Sequence, residues 1–389
     1  TGSTTVQIPD EHFRQYLIDT ISDISTSSFN GNNEIDVSLV NTITSISLIN
    51  KPITDLTGIE AFTALSNIYI SDVPITGDLD LSNNSNLINF SFYNYYWKGY
   101  DGLSNLNLSN GNANLIVYLY YNHNIQTLSL SNTLNSLNIY YQPSLFAISS
   151  MQSVLDNLSS STITYNFYIS AGVLNLDFLN NSLGLNRLSL SQNDTIQSLN
   201  LSLFTNLNYL YLYNCSNLSD LILHNDAINT LTSLNIYYTP LQNFKYNSYT
   251  NLTRLDLNNQ DLSSIGLPNL PKLYYLKCTS CNLQSADLSI YPNLENCTLT
   301  YNNGITSLDI SNNPNLTYLY INHTNINELD ITNNSKFYSG YFPVDTTNAP
   351  GEDATFRIIS NNNPSSNIDG KYGTYDTNGV YTWSGGNTG

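Results

Sequence analysis

Of 389 residues only one in ten is charged, with 29 Asp and Glu against 11 Lys and Arg and a formal net charge of −18. Displacing counterions from nucleic acid needs a basic face, and this chain has too few cations to build one. No run of about 18 apolar residues occurs, which excludes a transmembrane helix, and polarity comes instead from Asn, Ser, Thr and 31 Tyr, a surface suited to an extracellular setting. The chain starts at Thr1 without a charged-then-apolar leader and reads as a processed or excised piece.

The first 42 residues stand apart from the rest of the chain. Pro9 and Asp10 open a helix signal, and Phe13, Leu17 and Ile21 recur four residues apart on one face. A repeat begins at Ile43, with Ile46, Leu48, Ile53 and Leu56 in phase, and starts again at Leu65, Leu87, Leu115, Leu134, Thr162, Leu185, Leu207 and Leu231. Two units stretch to 28 residues. The unit from Leu87 inserts NYYWKGYDG, and the unit from Leu134 inserts SSMQSVLDNLSSS, where Met151, Val154, Leu155 and Leu158 have the spacing of a short outer helix.

From Leu252 to Lys336 the unit is written four times, as LTRLDLNNQDLSSIGLPNLPK, LYYLKCTSCNLQSADLSIYPN, LENCTLTYNNGITSLDISNNPN and LTYLYINHTNINELDITNNSK. Apolar residues recur at positions 1, 4, 6 and 11, then as a later pair such as Leu308/Ile310 or Leu329/Ile331. A unit of 21 to 22 residues cannot bury its own apolar edge, so each is stable only between neighbours, and the chain is a repeat solenoid. After Lys336 the repeat decays. Phe337, Tyr338, Tyr341 and Phe342 read as closure of the last coil, ATFRIIS and GVYTWSG as short strands, and DGKYGTYDTNGVYTWSGG as a hairpin. The expected organisation is an N-terminal helical cap over 1–42, about thirteen repeats of 21–28 residues over 43–336, and a C-terminal cap with a β-hairpin or a linker to a further domain over 337–389.

The motif L-x-x-L-x-L, followed by a polar residue and another Leu or Ile, resembles the leucine-rich repeat family. The trailing L-D-[LI]-[ST] resembles its bacterial, internalin-like branch of secreted and surface proteins. IPDEHFRQYL followed by FNGNNEIDV resembles that branch's N-terminal cap, and LTGIEAFTAL, from Leu56 to Leu65, its first junction. The resemblance implies a parallel β-sheet on the concave face, mostly β and coil with few helices. It also implies an Asp-rich calcium turn in the cap. Here Asn30, Asn32 and Asn33 stand where acidic and Gly residues belong, leaving Glu34 and Asp36. Calcium wants several carboxylates, so a turn held by Asn side chains is preferred over a bound ion. Asp80, Asp177, Asp287, Asp309 and Asp330 align on the turn side and match the branch consensus. They read as turn hydrogen-bonders, with a calcium ladder as the alternative.

Cys278 and Cys281 have C-x-x-C spacing, yet the repeat register puts them, with Cys215 and Cys297, in the inward set. Buried thiols are the expectation there, a disulfide and a metal site being the alternatives. Catalytic signals are poor. His12, His123, His224 and His323 lie far apart, and neither H-E-x-x-H nor G-x-S-x-G occurs, so no enzyme activity and no cofactor are expected.

Positions 3, 5 and 7 of each strand point away from the inward positions 4 and 6. Position 7 carries Tyr93, Tyr121, Tyr140 and Tyr168 in successive units, then, after a Ser191 gap, Tyr213 and Tyr237. Position 5 adds Tyr69, Tyr211 and Tyr320, and position 3 adds Tyr209, Tyr275 and Tyr318; Arg187, Arg254, Asp256 and Lys277 are the charges on this face. Tyr offers rigid area and a hydroxyl to a partner, so a non-catalytic recognition or adhesion module at a cell surface, binding a protein or carbohydrate, is the leading expectation. Tyr also packs well on any strand, and a structural spacer in a surface fibre, appendage or phage-like tail is the alternative.

Overall fold

The computed structural model describes residues 4–95, 102–122, 124–131, 134–140, 164–169, 184–225, 227–242, 244–337, 339–341, 355–359, 367–368, 373–375 and 380–384. It divides into two compact units, Thr1–Asn193 and Asp194–Gly389.

In the first unit Asp10 caps the helix Glu11–Thr20, its Oδ1 accepting from the Phe13 amide at 2.9 Å. The helix buries Phe13, Tyr16 and Leu17. Phe13 stacks on Phe62 of the first junction at 6.0 Å, and the Tyr16 hydroxyl accepts the Ser47 amide at 3.0 Å. The other Asp10 oxygen takes the Thr54 amide and hydroxyl at 2.9 and 3.0 Å and the Asp55 amide at 3.2 Å. One carboxylate thus ties the helix to the first repeat. Burial works against its charge, but the hydrogen bonds from Thr54, Phe13 and Asp55 prevail and hold its pKa below the usual carboxylate value. In the cap turn, Asn30 Oδ1 accepts the amides of Asn32 and Glu34 at 2.9 and 3.0 Å, and Asn30 Nδ2 donates to Glu34 at 2.7 Å. This is the Asn-held turn that the sequence favours. Gly58 sits at φ 99°, where a Cβ would lie 2.4 Å from Ile8 Cδ1 and 2.5 Å from the Gln7 carbonyl oxygen, so no other residue fits.

Seven parallel strands come next, Ser45–Ile49, Asn67–Ser71, Asn89–Tyr93, Ile116–Tyr120, Ser136–Tyr140, Thr164–Ile169 and Leu185–Ser191, each paired with its successor. Their inward pairs, from Ile46/Leu48 through Phe90/Phe92 and Val117/Leu119 to Leu188/Leu190, are almost wholly buried. Gly77–Asp80, Leu103–Leu108 and Thr127–Leu130 form a second, smaller parallel sheet.

The second unit repeats the plan with Tyr209–Tyr213, Ser233–Tyr237, Arg254–Asn258, Tyr275–Thr279, Asn296–Thr298 and Tyr318–Tyr320. Among the described residues the two units contribute seven and six such strands. Two short strands, Ser339–Tyr341 and Asn367–Ile368, extend the ladder. Thr355–Ile359 pairs in parallel with Glu328–Asp330 and antiparallel with Val380–Ser384, which closes a hairpin with Gly373–Tyr375. The helix expected around Met151 lies outside the described residues, as does Asp177. Asp80, Asp287, Asp309 and Asp330 accept the amide two residues on at 2.8 to 3.0 Å, the turn role expected of them.

Ten of the described repeats share one turn with a left-handed residue, directly after the strand at Asn50, Asp72, Tyr121, Gln192, Asn214, Tyr238, Asn259 and Ser280 and three residues beyond it at Tyr301 and His323, with φ between 48 and 61°. The next residue is exposed at Lys51 and buried in the other nine, Val73, Asn122, Asn193, Cys215, Thr239, Gln260, Cys281, Asn302 and Thr324. Buried backbone groups at the bend need partners, and Asn122, Thr239, Gln260, Asn302 and Thr324 provide them. Asn302 Nδ2 reaches the carbonyls of Cys278 at 2.7 Å and Leu299 at 2.8 Å, while its Oδ1 accepts the amides of Cys281 and Leu283 at 3.0 and 3.1 Å. All four cysteines are buried and unbridged.

This packing can be tested at two residues. Asp10→Asn keeps the helix cap but sets an NH2 group against the Thr54 and Asp55 donors, and should lower stability by about 1–2 kcal/mol at neutral pH. Because the folded pKa is depressed, the stabilisation is present above the ordinary carboxylate range and vanishes as pH falls through the folded value, so urea melts of parent and variant should converge on acidification. Asn302→Ala leaves two buried amides unpaired and should cost at least about 3 kcal/mol, read as a lower urea midpoint at unchanged slope.

Candidate ligand-binding face

The outward positions of the first unit form a connected row. Tyr69, Tyr93, Tyr120 and Tyr140 lie on four successive strands, with ring centroids 5.6, 5.8 and 5.1 Å apart and planes tilted by 36, 36 and 44°. Tyr69 is 40% exposed, and the others are half-buried against their neighbours. Burial, then the nearby Tyr118 and Tyr69, raises the Tyr93 hydroxyl's pKa.

The row contains Tyr120, not Tyr121. Between Leu115 and the turn this unit is one residue short, so Val117 and Leu119 point inward and Tyr118 and Tyr120 outward. The pairing runs Tyr93, Tyr120, Tyr140. Tyr121 is displaced into the left-handed turn at φ 55° and meets Tyr120 edge-on at 4.8 Å. The alternation V-x-L in place of x-L-x-L was the signal. Farther along, the backbone of Tyr168 pairs in register with Tyr140, and on the next strand, past a bulge at Tyr165/Asn166, Tyr168 pairs with Ser189 and Asn166 with Arg187. The gap in the Tyr row expected at Ser191 therefore falls at Ser189.

In the second unit Tyr209, Tyr211 and Tyr213 share one strand and are partly exposed. Tyr213 and Tyr211 approach at 6.3 Å with nearly parallel planes, and Tyr237 packs against both, at 5.5 Å from Tyr211 and 6.3 Å from Tyr213. Tyr238, 48% exposed at the turn, meets Tyr213 edge-on at 6.0 Å. Tyr318 and Tyr320 stand beyond the strand Asn296–Thr298, opposite Asn296 and Thr298.

Between these aromatics sits an ionic cluster. Asp256 is on the outward side yet only 1% exposed; the expectation of an open contact residue fails there because the neighbouring side chains roof it over. Arg254 Nη2 and Lys277 Nζ each lie 3.8 Å from one of its oxygens. The Arg254 guanidinium rests 3.6 Å above the Tyr275 ring, and the Lys277 ammonium lies 5.5 Å from the Tyr237 ring centre, both favourable cation–aromatic contacts. Burial raises the Asp256 pKa against the opposing effects of a hydrogen bond from Tyr237 and the charges of Lys277 and Arg254. Burial, then Asp256 itself, raises the pKa of Tyr237 and Tyr275 in turn.

Two further aromatic residues in contact are not evident from the outward positions of the repeat. Tyr301, 55% exposed, and His323 stack at 4.2 Å with planes 10° apart. Both are left-handed turn residues one repeat apart, so aligning the units at that position would have found them. Among the described residues no cluster of three or more metal-ligating side chains occurs, and no helix is long and apolar enough to cross a membrane.

The corrected register is testable by mutation. Tyr120→Ser removes contacts to three rings and should cost about 1–3 kcal/mol, whereas Tyr121→Asn relieves a left-handed tyrosine and should leave the melting temperature unchanged or higher. Thermal melts of the two variants would decide it.

No family model matches the sequence, and no curated protein matches it. Among solved structures, an internalin (InlF) from Listeria monocytogenes matches with TM-score 0.55 and 20% identity over 87% of this chain and 96% of that one. The functional domain of InlJ from Listeria monocytogenes, which includes a cysteine ladder, matches with TM-score 0.48 and 20% identity over 88% of this chain, and this chain spans 62% of its length. A leucine-rich repeat protein of Leptospira interrogans matches with TM-score 0.42 and 15% identity, over 80% of this chain and 92% of that one. The fold is that of a leucine-rich repeat solenoid, structurally similar to Listeria internalin at low sequence identity.

Proposed function

We propose that the chain is a non-catalytic recognition module, extracellular or at a cell surface, that holds a macromolecular partner, protein or carbohydrate, on the outward face of its repeat strands. The observation that carries this reading is the concentration of partly exposed Tyr side chains on that one face, set among Asn, Ser and Thr, in both units. Rigid rings lose little conformational freedom on binding and present hydroxyls to a polar partner. The acidic, charge-poor composition agrees with an extracellular setting. The functional residues proposed are Tyr69, Tyr93, Tyr120, Tyr140, Tyr168 and Arg187 in the first unit, and Tyr209, Tyr211, Tyr213, Tyr237, Arg254, Tyr275, Tyr318 and Tyr320 in the second.

One observation favours the spacer alternative. Rings 5.1 to 5.8 Å apart on successive strands bury part of their area against one another and stiffen the sheet without a ligand. The two readings separate on Tyr211 and Tyr213. Glycan and cell-surface protein arrays probed with the 389-residue chain should give hits that a Tyr211→Ser/Tyr213→Ser variant loses while still folded by circular dichroism. An absence of hits, together with a large drop in the variant's melting temperature, would make the row scaffold and overturn the recognition reading.

A further inference from the structure

The ionic cluster at Asp256 is anomalous within its own repeat position. In register with it lie Asn235 and Lys277, and the corresponding residue elsewhere is Tyr69, Asn138, Tyr211, Thr298 or Tyr320. A neutral residue therefore satisfies the fold at this place, and Asn138 and Asn235 do so while buried, each donating to a carbonyl of the preceding strand, Val117 at 3.1 Å and Leu210 at 3.5 Å. Asp256 has an oxygen, Oδ1, that is buried without a hydrogen-bond partner, and neither cation comes closer than 3.8 Å. Even with the hydrogen bond from Tyr237, burying a carboxylate whose charge contacts are this long costs more than the pairing returns. Rule-breaking of this kind marks functional positions.

What the carboxylate does is visible in its neighbours. It draws a guanidinium from its own strand and an ammonium from the next toward one point, each also held by an aromatic ring and each with about a third of its side chain still exposed, 37% for Arg254 and 30% for Lys277. Two cations against one anion leave the cluster with one positive charge in a chain of net −18. At physiological ionic strength charges beyond about 8 Å are screened, so a ligand at this spot meets the local charge rather than the total.

We propose that Arg254 and Lys277 form a two-pronged clamp for a carboxylate side chain of an acidic polypeptide partner, with Asp256 as the buried residue that positions both prongs. The proposal rests on the recognition function proposed for this face and names the chemistry its second unit selects. Tyr237 and Tyr275 already carry Lys277 and Arg254 near their ring faces, so the stacking surface a sugar ring would use is taken. What remains on offer is the cationic heads and hydroxyl edges, which suit an Asp or Glu. Arg in particular pairs carboxylates through two parallel N–H groups when its plane is fixed.

The test uses the full chain and fluorescein-labelled poly-L-glutamate, with poly-L-glutamine and polygalacturonate as the neutral and carbohydrate-acid comparisons, read by anisotropy at about 0.15 M salt. Binding of poly-L-glutamate is expected, with at least a tenfold loss in Arg254→Gln and in Lys277→Gln. Asp256→Asn discriminates positioning from charge. It makes the site more positive, so a simple charge effect tightens binding, whereas loss of positioning weakens it at least tenfold while the melting temperature holds or rises. Tighter binding by Asp256→Asn, or a lower melting temperature with unchanged binding, overturns the positioning role. Preference for polygalacturonate, or poly-L-glutamate binding unaffected by either cation variant, overturns the clamp. Array hits that survive Arg254→Gln and Lys277→Gln would sink the clamp alone and leave the recognition reading standing; arrays without hits, together with a large drop in the melting temperature of Tyr211→Ser/Tyr213→Ser, would sink both.

Discussion

The structure depends on how the chain leaves each strand. A coil of 21 to 22 residues must turn sharply inward at the end of its strand, and the turn leaves backbone amides and carbonyls where water cannot reach. One left-handed residue makes the bend, and where the side chain after it is buried and polar it repairs the hydrogen bonding of the bend. Asn302 does this most completely, bonding on both sides, and the amide of Cys281 relies on it. Thr239 plays a similar part, its hydroxyl accepting the Cys215 amide at 3.2 Å and its carbonyl accepting Gln260 Nε2 at 2.8 Å. The weak donor of a cysteine is tolerable at this place because the residue one coil on supplies what sulfur cannot. Each repeat is thus completed by its neighbour in polar as well as apolar terms.

The outward face carries no such obligation, and there the two units diverge. The first is a surface of tyrosines packed side by side, with Asn and Ser between them and Arg187 at its far end. The second breaks its aromatic row with a buried acid under two cations. A buried acid is not what the fold requires at this place, and the proposed clamp accounts for its presence.

How much of this could be read from the residues depends on the range over which each feature is determined. The strands, their number and their inward side chains were legible, because positions 4 and 6 fill a narrow interior that admits Leu, Ile, Val, Phe or Cys and little else. The cap was legible from Asp10, Phe13 and Leu17, since capping and a four-residue spacing are local. Tyr120 was misplaced because counting from Leu115 assumes that every unit has the same distance to its first inward residue, and this one is a residue shorter. The Tyr165/Asn166 bulge is invisible for a related reason, since register is settled between strands and not within one. The burial of Asp256 depends on two rings and two long side chains from neighbouring strands, and period-2 alternation predicts only that it points outward. The link from Asp10 to Thr54 and Asp55 likewise joins residues far apart in the chain.

The four cysteines all fall in the second unit, with sulfur atoms enclosed by the repeats and the Cys297 thiol pushed up in pKa by burial. A thiol reagent therefore finds nothing to react with until those coils separate, and the first unit contributes no background at all. The chain carries its own clock for the opening of one half, running at the rate at which neighbouring repeats part company, and its sulfurs can report on fraying of the solenoid while the tyrosine-lined strands before residue 194 remain silent.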